Sequence, residues 1–486
     1  LMSKFMLIIK NTMVVKMMEK YQQLIDARPV DQTVLFSNMD LAALLVVDKC
    51  LSFNCLSSPF FSKMVGETVN RQKIKTQIVK ISTDLKLHQF DQYKLSPKVG
   101  CLLIDGWQTA LGKHLYAIMV KVVDKTYLHK IIASEESQNA YWLGYHLKVA
   151  VEELVQFGIQ VRGVVGDNAA VNGCAIKLLN GISKKHTKLQ NLECKAPQKI
   201  AYLRCCCHTL DLVLMDYVKQ VQLVENLQPC LVSNRITSKL CPTRWTSIDE
   251  VLKELSAKGL LPSKYNIDMY IVSKLTNAIV CIEGANISFD MMQKVMKQLE
   301  DDLKSMLIVE GCKTKASFVL KCLSTRKTEY MNVPFTIARF YEVLKVDTVC
   351  TTVEFSVLVA KIQKIFKIKI VNSLTRFEKM KMDPNQYKKL SLGDQWLGIK
   401  GIIEFLEIYK SLVVSEASVE RLFSFFRRCE ATFMRKQLKI QTLEYLGRIY
   451  VNKILPEREI EEESEDRCEI QPIEDDLENE LIPNLE

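Results

Sequence analysis

Two apolar runs of strand length that each stop on an aspartate constrain this chain most. VGCLLIDGW reaches Asp105, and IQVRGVVGDN reaches Asp167. A short apolar run ending at an acid reads as a buried strand with a polar carboxyl end. Around these two runs the pattern is regular. HLYAIMVKVVD (114–124) and TYLHKIIASE (126–135) are rich in β-branched and aromatic residues and read as an antiparallel hairpin. NAYWLGYHLKVAVEELVQFG (139–158) and AAVNGCAIKLLNGI are helix-periodic, and AYLRCCCHTLDLVLMDYVKQV begins as a strand and turns into a helix. The order β-β-β-α-β-α-β-α predicts an α/β fold built on a mixed sheet.

The rest of the chain is different in kind. Residues 1–96 read as an N-terminal helical region; MMEKYQQLID and DLAALLVVDKCLS carry helix-period apolar positions. Residues 97–240 hold the strands. Residues 241–395 are rich in Lys, Met and Leu with no clear strand, and read as a large all-helical stretch. Amphipathic helices follow in 396–455, and residues 456–486 form an acidic tail whose composition predicts disorder.

Charge is unevenly placed. The tail carries 14 acidic against 2 basic residues, a net of −12, which leaves +22 on residues 1–455 of a chain that is +10 overall. A body that basic suits a polyanion such as DNA, and equally an ordinary solvated surface beside an acidic tail. The 16 cysteines include no C-x-x-C pair, so a disulfide framework is not indicated and a reducing compartment is. The apolar opening LMSKFMLIIKNTMVV carries Lys4 and Lys10 and is too short to span a bilayer, so no membrane partner is expected. Nothing in the sequence points to a small-molecule substrate.

Asp105 and Asp167 follow strands, and the carboxyl end of a strand is where open α/β sheets place ligands. Carboxylates on adjacent strands repel unless a hard cation such as Mg²⁺ or Mn²⁺ neutralises them. The plainer alternative is that each aspartate caps the turn or helix after it, and Asp167, followed by Asn168 and a helix, fits that well. Spacing alone does not choose a third acid.

Five segments, in order, supply a choice. SEASVERLFSFFRRCEATFMRKQL (415–438) resembles the C-terminal motif of the hAT superfamily of DNA transposases through Glu420, Arg421, Phe423 and Ser424, with Arg435 and Leu438 following. GCLLIDGW resembles that family's first acidic strand, with Trp107 two residues after the acid, and VVGDNAAVN its second. CCCHTLDLV matches a Cys-x-x-His element through Cys205 and His208, and CPTRWTS an Arg-Trp element through Arg244 and Trp245. SPFFSKMV resembles an N-terminal flank of one subgroup.

The resemblance implies an RNase H-like mixed sheet interrupted by a large all-helical insertion. It makes Asp105, Asp167 and Glu420 the catalytic residues and the ligands of Mg²⁺ or Mn²⁺. It implies DNA cleavage and strand transfer in the nucleus. Trp107 and Trp245 would stack on an extruded base, Arg244 would contact a phosphate, and His208 would lie near the scissile phosphate. His208 has two other readings, half of a zinc site with Cys205 and a satisfied buried histidine. Leu422, Phe423, Phe425 and Phe426 exceed one narrow helical stripe and imply a homo-oligomer, a dimer or higher, through this region, with plain internal packing as the alternative. Members usually begin with a zinc-binding BED finger. No pair of the six histidines has the H-x₃₋₅-H spacing it needs, so the sequence given holds no such finger. The alternative function is therefore a catalytically inactive, domesticated transposase acting as a DNA- or chromatin-binding dimer.

Overall fold

The two aspartate-ended runs become neighbouring parallel strands in the middle of a five-stranded sheet. The computed structural model describes residues 38–48, 70–96, 98–109, 112–134, 139–181, 199–233, 247–284, 287–345, 348–432 and 439–452. In chain order the elements are α1 (Asn38–Asp48), α2 (Arg71–Leu95), β1 (Lys98–Gln108), β2 (His114–Val122), β3 (Lys125–Ser134), α3 (Ala140–Gln156), β4 (Ile159–Gly166), α4 (Ala170–Leu179), β5 (Ala201–Arg204), α5 (Cys206–Gln220) and α6 (Leu223–Ser233). The helical stretch follows with α7 (Ser247–Ala257), α8 (Asn266–Glu283), α9 (Phe289–Ser305), α10 (Lys313–Tyr330), α11 (Asn332–Val343), α12 (Thr352–Phe366), α13 (Ser373–Met382) and two short helices, α14 (Pro384–Lys388) and α15 (Leu392–Gln395). The chain closes with α16 (Lys400–Ser411), α17 (Ala417–Thr432) and α18 (Ile440–Val451).

The sheet order is β3-β2-β1-β4-β5. The β1–β2 and β2–β3 pairs are antiparallel, and β1–β4 and β4–β5 are parallel, so the sheet is mixed as the pattern predicts. The hairpin turn is Val123–Asp124, with Val123 in the left-handed region at φ 55° and Val122 paired to Lys125. Gly158 makes the return from α3 to β4 at φ +78°; a Cβ there would strike the Tyr93 carbonyl, so only glycine fits.

Both faces of the sheet are buried. Leu102, Ile104, Ile118 and Val120 pack with Leu143, Leu147 and Val151 of α3, Ile176 of α4 and Phe90 of α2. The opposite face, with Cys101, Val165 and Leu203, continues through α5 into α8–α13, α16 and Trp396 as one apolar cluster. Every described element between residues 247 and 395 is helical, and these helices share the core of the sheet. The described residues belong to one unit, Arg28–Ile454. Among them no helix is long and apolar enough to cross a membrane. SPFFSKMV, Arg244, Trp245, Arg435, Leu438 and the acidic tail lie outside the described residues.

Candidate active site

β1 does not stop at its aspartate. It runs on to Gln108, pairing with β2 through Gln108↔His114, while its pairing with β4 ends at Leu103↔Val165. β4 itself ends at Gly166, so beyond that point one edge of β1 is released. The shared register, carried two residues further, sets Asp105 level with Asp167. Neighbouring strands are about 4.8 Å apart, and level positions face the same side. Both aspartates, half-buried, border a depression of about 280 Å³ together with Tyr116, His114 and Asn172.

The two acids are held differently. Asp105 Oδ1 accepts from the Gly106 amide at 2.7 Å. Asp167 Oδ1 accepts from the Ala169 amide at 3.0 Å and from Asn172 Nδ2, and the Asp167 carbonyl accepts from Tyr202 Oη at 2.6 Å. Asp167 therefore braces the turn before α4, whose N-cap is Ala169 with no side-chain cap, and does not itself cap that helix.

The C-terminal motif comes back to this edge. Glu416 immediately precedes α17 and Glu420 lies one turn into it. Glu416 is fully buried, and its Oε1 makes a close ion pair with His208 Nδ1. Glu420 Oε1 is 4.0 Å from the same nitrogen. His208 sits in the first turn of α5, whose N-cap is Cys205; the His208 amide donates to Cys205 Sγ at 3.4 Å. The Cys206 amide donates to the Val414 carbonyl at 2.9 Å, tying α5 to the approach to α17.

The acids feel one another. Burial, then the charges of Glu416 and Asp167, push the Asp105 carboxyl up to about 8, against the opposing pull of His208. Burial, then Glu416, Asp105 and Glu283, push Glu420 up to about 9, again opposed by His208. Burial followed by Asp167 and Asp105 takes the Tyr116 hydroxyl to about 12. His208 goes the other way: burial opposes its charge, but hydrogen bonds to Cys205 and Glu416 overcome that and hold it well above its ordinary value. Two carboxyls that resist ionisation beside two further acids concentrate like charge at this edge, although among the described residues Asp105, Asp167 and Glu420 do not bring their oxygens together as one ligand cluster.

Not every expected residue reaches this edge in the expected role. Trp107 is 7% exposed, and its indole stacks on Phe423 at 5.7 Å and against Phe426 at 5.8 Å. The expectation of a free face for an extruded base is corrected: α17 already covers it. Leu422, Phe423, Phe425 and Phe426 are likewise buried within the chain. Phe425 stacks on Tyr450 of α18 at 4.2 Å, and Gly447 lets α18 approach so closely that a Cβ would lie 2.8 Å from Phe426. These four side chains serve the internal alternative, joining α17 to β1 and α18, and offer no partner surface. Arg421 reaches the Glu283 carbonyl at the end of α8 at 3.3 Å. The residue that sequence reasoning passed over is Glu416. Its spacing was the available signal, since i and i+4 on a helix share a face with Glu420.

No protein-family model matches this chain, and no curated protein matches it. Among solved structures, the Drosophila P element transposase strand transfer complex is similar over 92% of this chain and 99% of that one, at 13% sequence identity and a TM-score of 0.36. A likeness that distant carries no weight for activity.

Proposed function

We propose that this chain is a transposase-like DNA nuclease and strand transferase of hAT descent, with an RNase H-like core. The observation that supports the reading is the register that sets Asp105 level with Asp167, together with the burial and like charge that raise the carboxyls of Asp105 and Glu420. The strand order, three antiparallel strands continued by two parallel ones, supports the RNase H-like core. The helical stretch between α6 and α16 supports the reading of an insertion.

Asp105, Asp167 and Glu420 would hold Mg²⁺ or Mn²⁺, since all three present hard oxygen donors. When bound, such an ion neutralises charge at a phosphodiester and lowers the pKa of water. The chain's own groups do the rest. Asn172 and the Ala169 amide fix the Asp167 carboxylate, and Gly106 fixes Asp105. His208, held by Glu416 beside Glu420, is placed to donate to a phosphate oxygen. Arg244 and Trp245 belong to the same reading as phosphate and base contacts. A nuclear location follows from a DNA substrate. Any homo-oligomer would use a surface other than the buried face of α17.

The test is nicking of supercoiled plasmid with Mn²⁺. Wild-type protein converts supercoiled to open circle, and Asp105→Asn and Glu420→Gln do not. Unchanged nicking by Asp105→Asn overturns the assignment.

A further inference from the structure

Beside Glu420 lies a donor set of mixed chemistry. Cys205 Sγ, a ring nitrogen of His208 and a Glu416 carboxylate oxygen lie within 4.8 Å of one another. Cys205 and Glu416 are fully buried, and His208 is 26% exposed on its side chain. The three come from two elements, the N-terminal turn of α5 and the start of α17, which the Cys206–Val414 backbone bond already holds together. Cys207, also fully buried, lies beside Cys205 and donates its thiol to the Ile279 carbonyl at 3.7 Å, so it stands outside the trio.

We propose that Cys205, His208 and Glu416 bind one Zn²⁺, which pins α17 to α5. The carboxylate of Glu416 is the second, independent sign of a ligand. It is wholly removed from solvent and paired with the His208 imidazole, itself a metal-ligand type, while Asp105 and Glu420 add like charge nearby. A buried carboxylate in that position calls for a cation. A thiolate and a carboxylate supply two negative charges, so with a neutral imidazole they balance Zn²⁺. Thiolate and imidazole together favour Zn²⁺ over Mg²⁺, which sets this site apart from the oxygen-only triad. Donors around one tetrahedral zinc are about 3.5 Å apart, given bonds of about 2.0–2.3 Å, so the cluster needs only small side-chain rotations and a widening of the Glu416–His208 contact.

The site does not depend on the nuclease reading, and its test is kept apart from it. Full-length protein is loaded with Zn²⁺, passed through gel filtration, and assayed for metal content. A second sample is loaded with Co²⁺, whose visible and near-ultraviolet spectrum reports thiolate ligation. The expected result is about one zinc per chain and a thiolate-to-cobalt band, both lost in Cys205→Ser and in Glu416→Gln and both kept in Cys174→Ser and Asp105→Asn. Chelation should lower the melting temperature of wild-type protein, and added Zn²⁺ should restore it. Should Cys205→Ser prove insoluble, Glu416→Gln and the cobalt spectrum of wild type still decide. Folded wild-type protein that retains no zinc, or Glu416→Gln with unchanged zinc and cobalt band, overturns the proposal. Loss of nicking in Asp105→Asn with zinc retained leaves both proposals standing, and each fails on its own measurement.

Discussion

The helical stretch and the end of the sheet both bury acids, and they treat them in opposite ways. In the helices each buried acid is compensated. Asp268 accepts from Tyr217 Oη at 2.5 Å and pairs with Lys315 at 2.8 Å. Asp249 pairs with Lys253 at 2.8 Å and accepts from Ser273. Burial alone would raise Asp290, but hydrogen bonds from Ser288 and Tyr409 and the Lys345 charge hold it below the usual carboxylate range. At the sheet end, Asp105 and Glu420 have acids for neighbours, with His208 as the opposing charge in their surroundings, and both rise. Acids in the helical stretch acquire cations and donors within the fold, whereas those at the sheet end keep like charges for neighbours, the pattern that the proposed function uses.

The comparison can be broken most directly by activity. Asp105→Asn and Glu420→Gln should lower Mn²⁺-dependent nicking by roughly a hundredfold or more, because metal stabilisation of the transition state is worth several kcal/mol. Asp268→Asn should leave nicking by the folded protein unchanged and instead cost about 2–3 kcal/mol in urea unfolding. Removing one partner of a buried pair costs about 3–5 kcal/mol, and Lys315, 28% exposed, recovers part of that by hydration. Equal losses of stability in Asp268→Asn and Asp105→Asn would erase the distinction.

Asp105→Asn should move the other way. Its folded carboxyl is raised to about 8 from an unfolded value of 3.8, so above pH 4 the fold must either carry a disfavoured charge or take up a proton. The substitution removes that penalty and should stabilise metal-free protein at pH 7.5 by on the order of 1–2 kcal/mol, discounted because the side chain is partly exposed. A metal-free melting temperature that falls in Asp105→Asn would count against the repulsion.

The smallest effect concerns His129, 1% exposed on β3 with Nε2 2.9 Å from Glu153. Burial lowers its pKa, with Lys86 and Lys130 acting in the same sense and Glu153 opposing. The unfolded chain then binds the proton that the folded one refuses. Stability should fall as pH drops below the unfolded value of 6.5, and His129→Gln should flatten that slope in thermal melts between pH 7.5 and 5.5. An unchanged slope would remove His129 from the account.

The sheet was legible because period-two apolar runs and β-branched residues are local signals, and β2, β3, β4 and β5 fall where they were expected to within a few residues. The length of β1 was not legible. Its continuation past Asp105 depends on β2 pairing with it, which no local pattern encodes. The excess of aromatics on α17 was visible as composition, yet their destination was not, because Trp107 and Tyr450 that stack on them are distant in sequence. Glu416 escaped attention for the same reason: nothing within its own segment says that His208 stands against it.

Amino-acid order by itself determined the α/β class, the alternation of strands and helices, and the candidacy of Asp105, Asp167 and Glu420, since periodicity, strand ends and short motifs are properties of neighbours along the chain. Which acids meet, which are compensated, and which aromatic faces are already covered were decided by the tertiary structure alone. Coulombic and packing energies depend on distance in space, and it is the folded chain that sets α17 against β1 and α5.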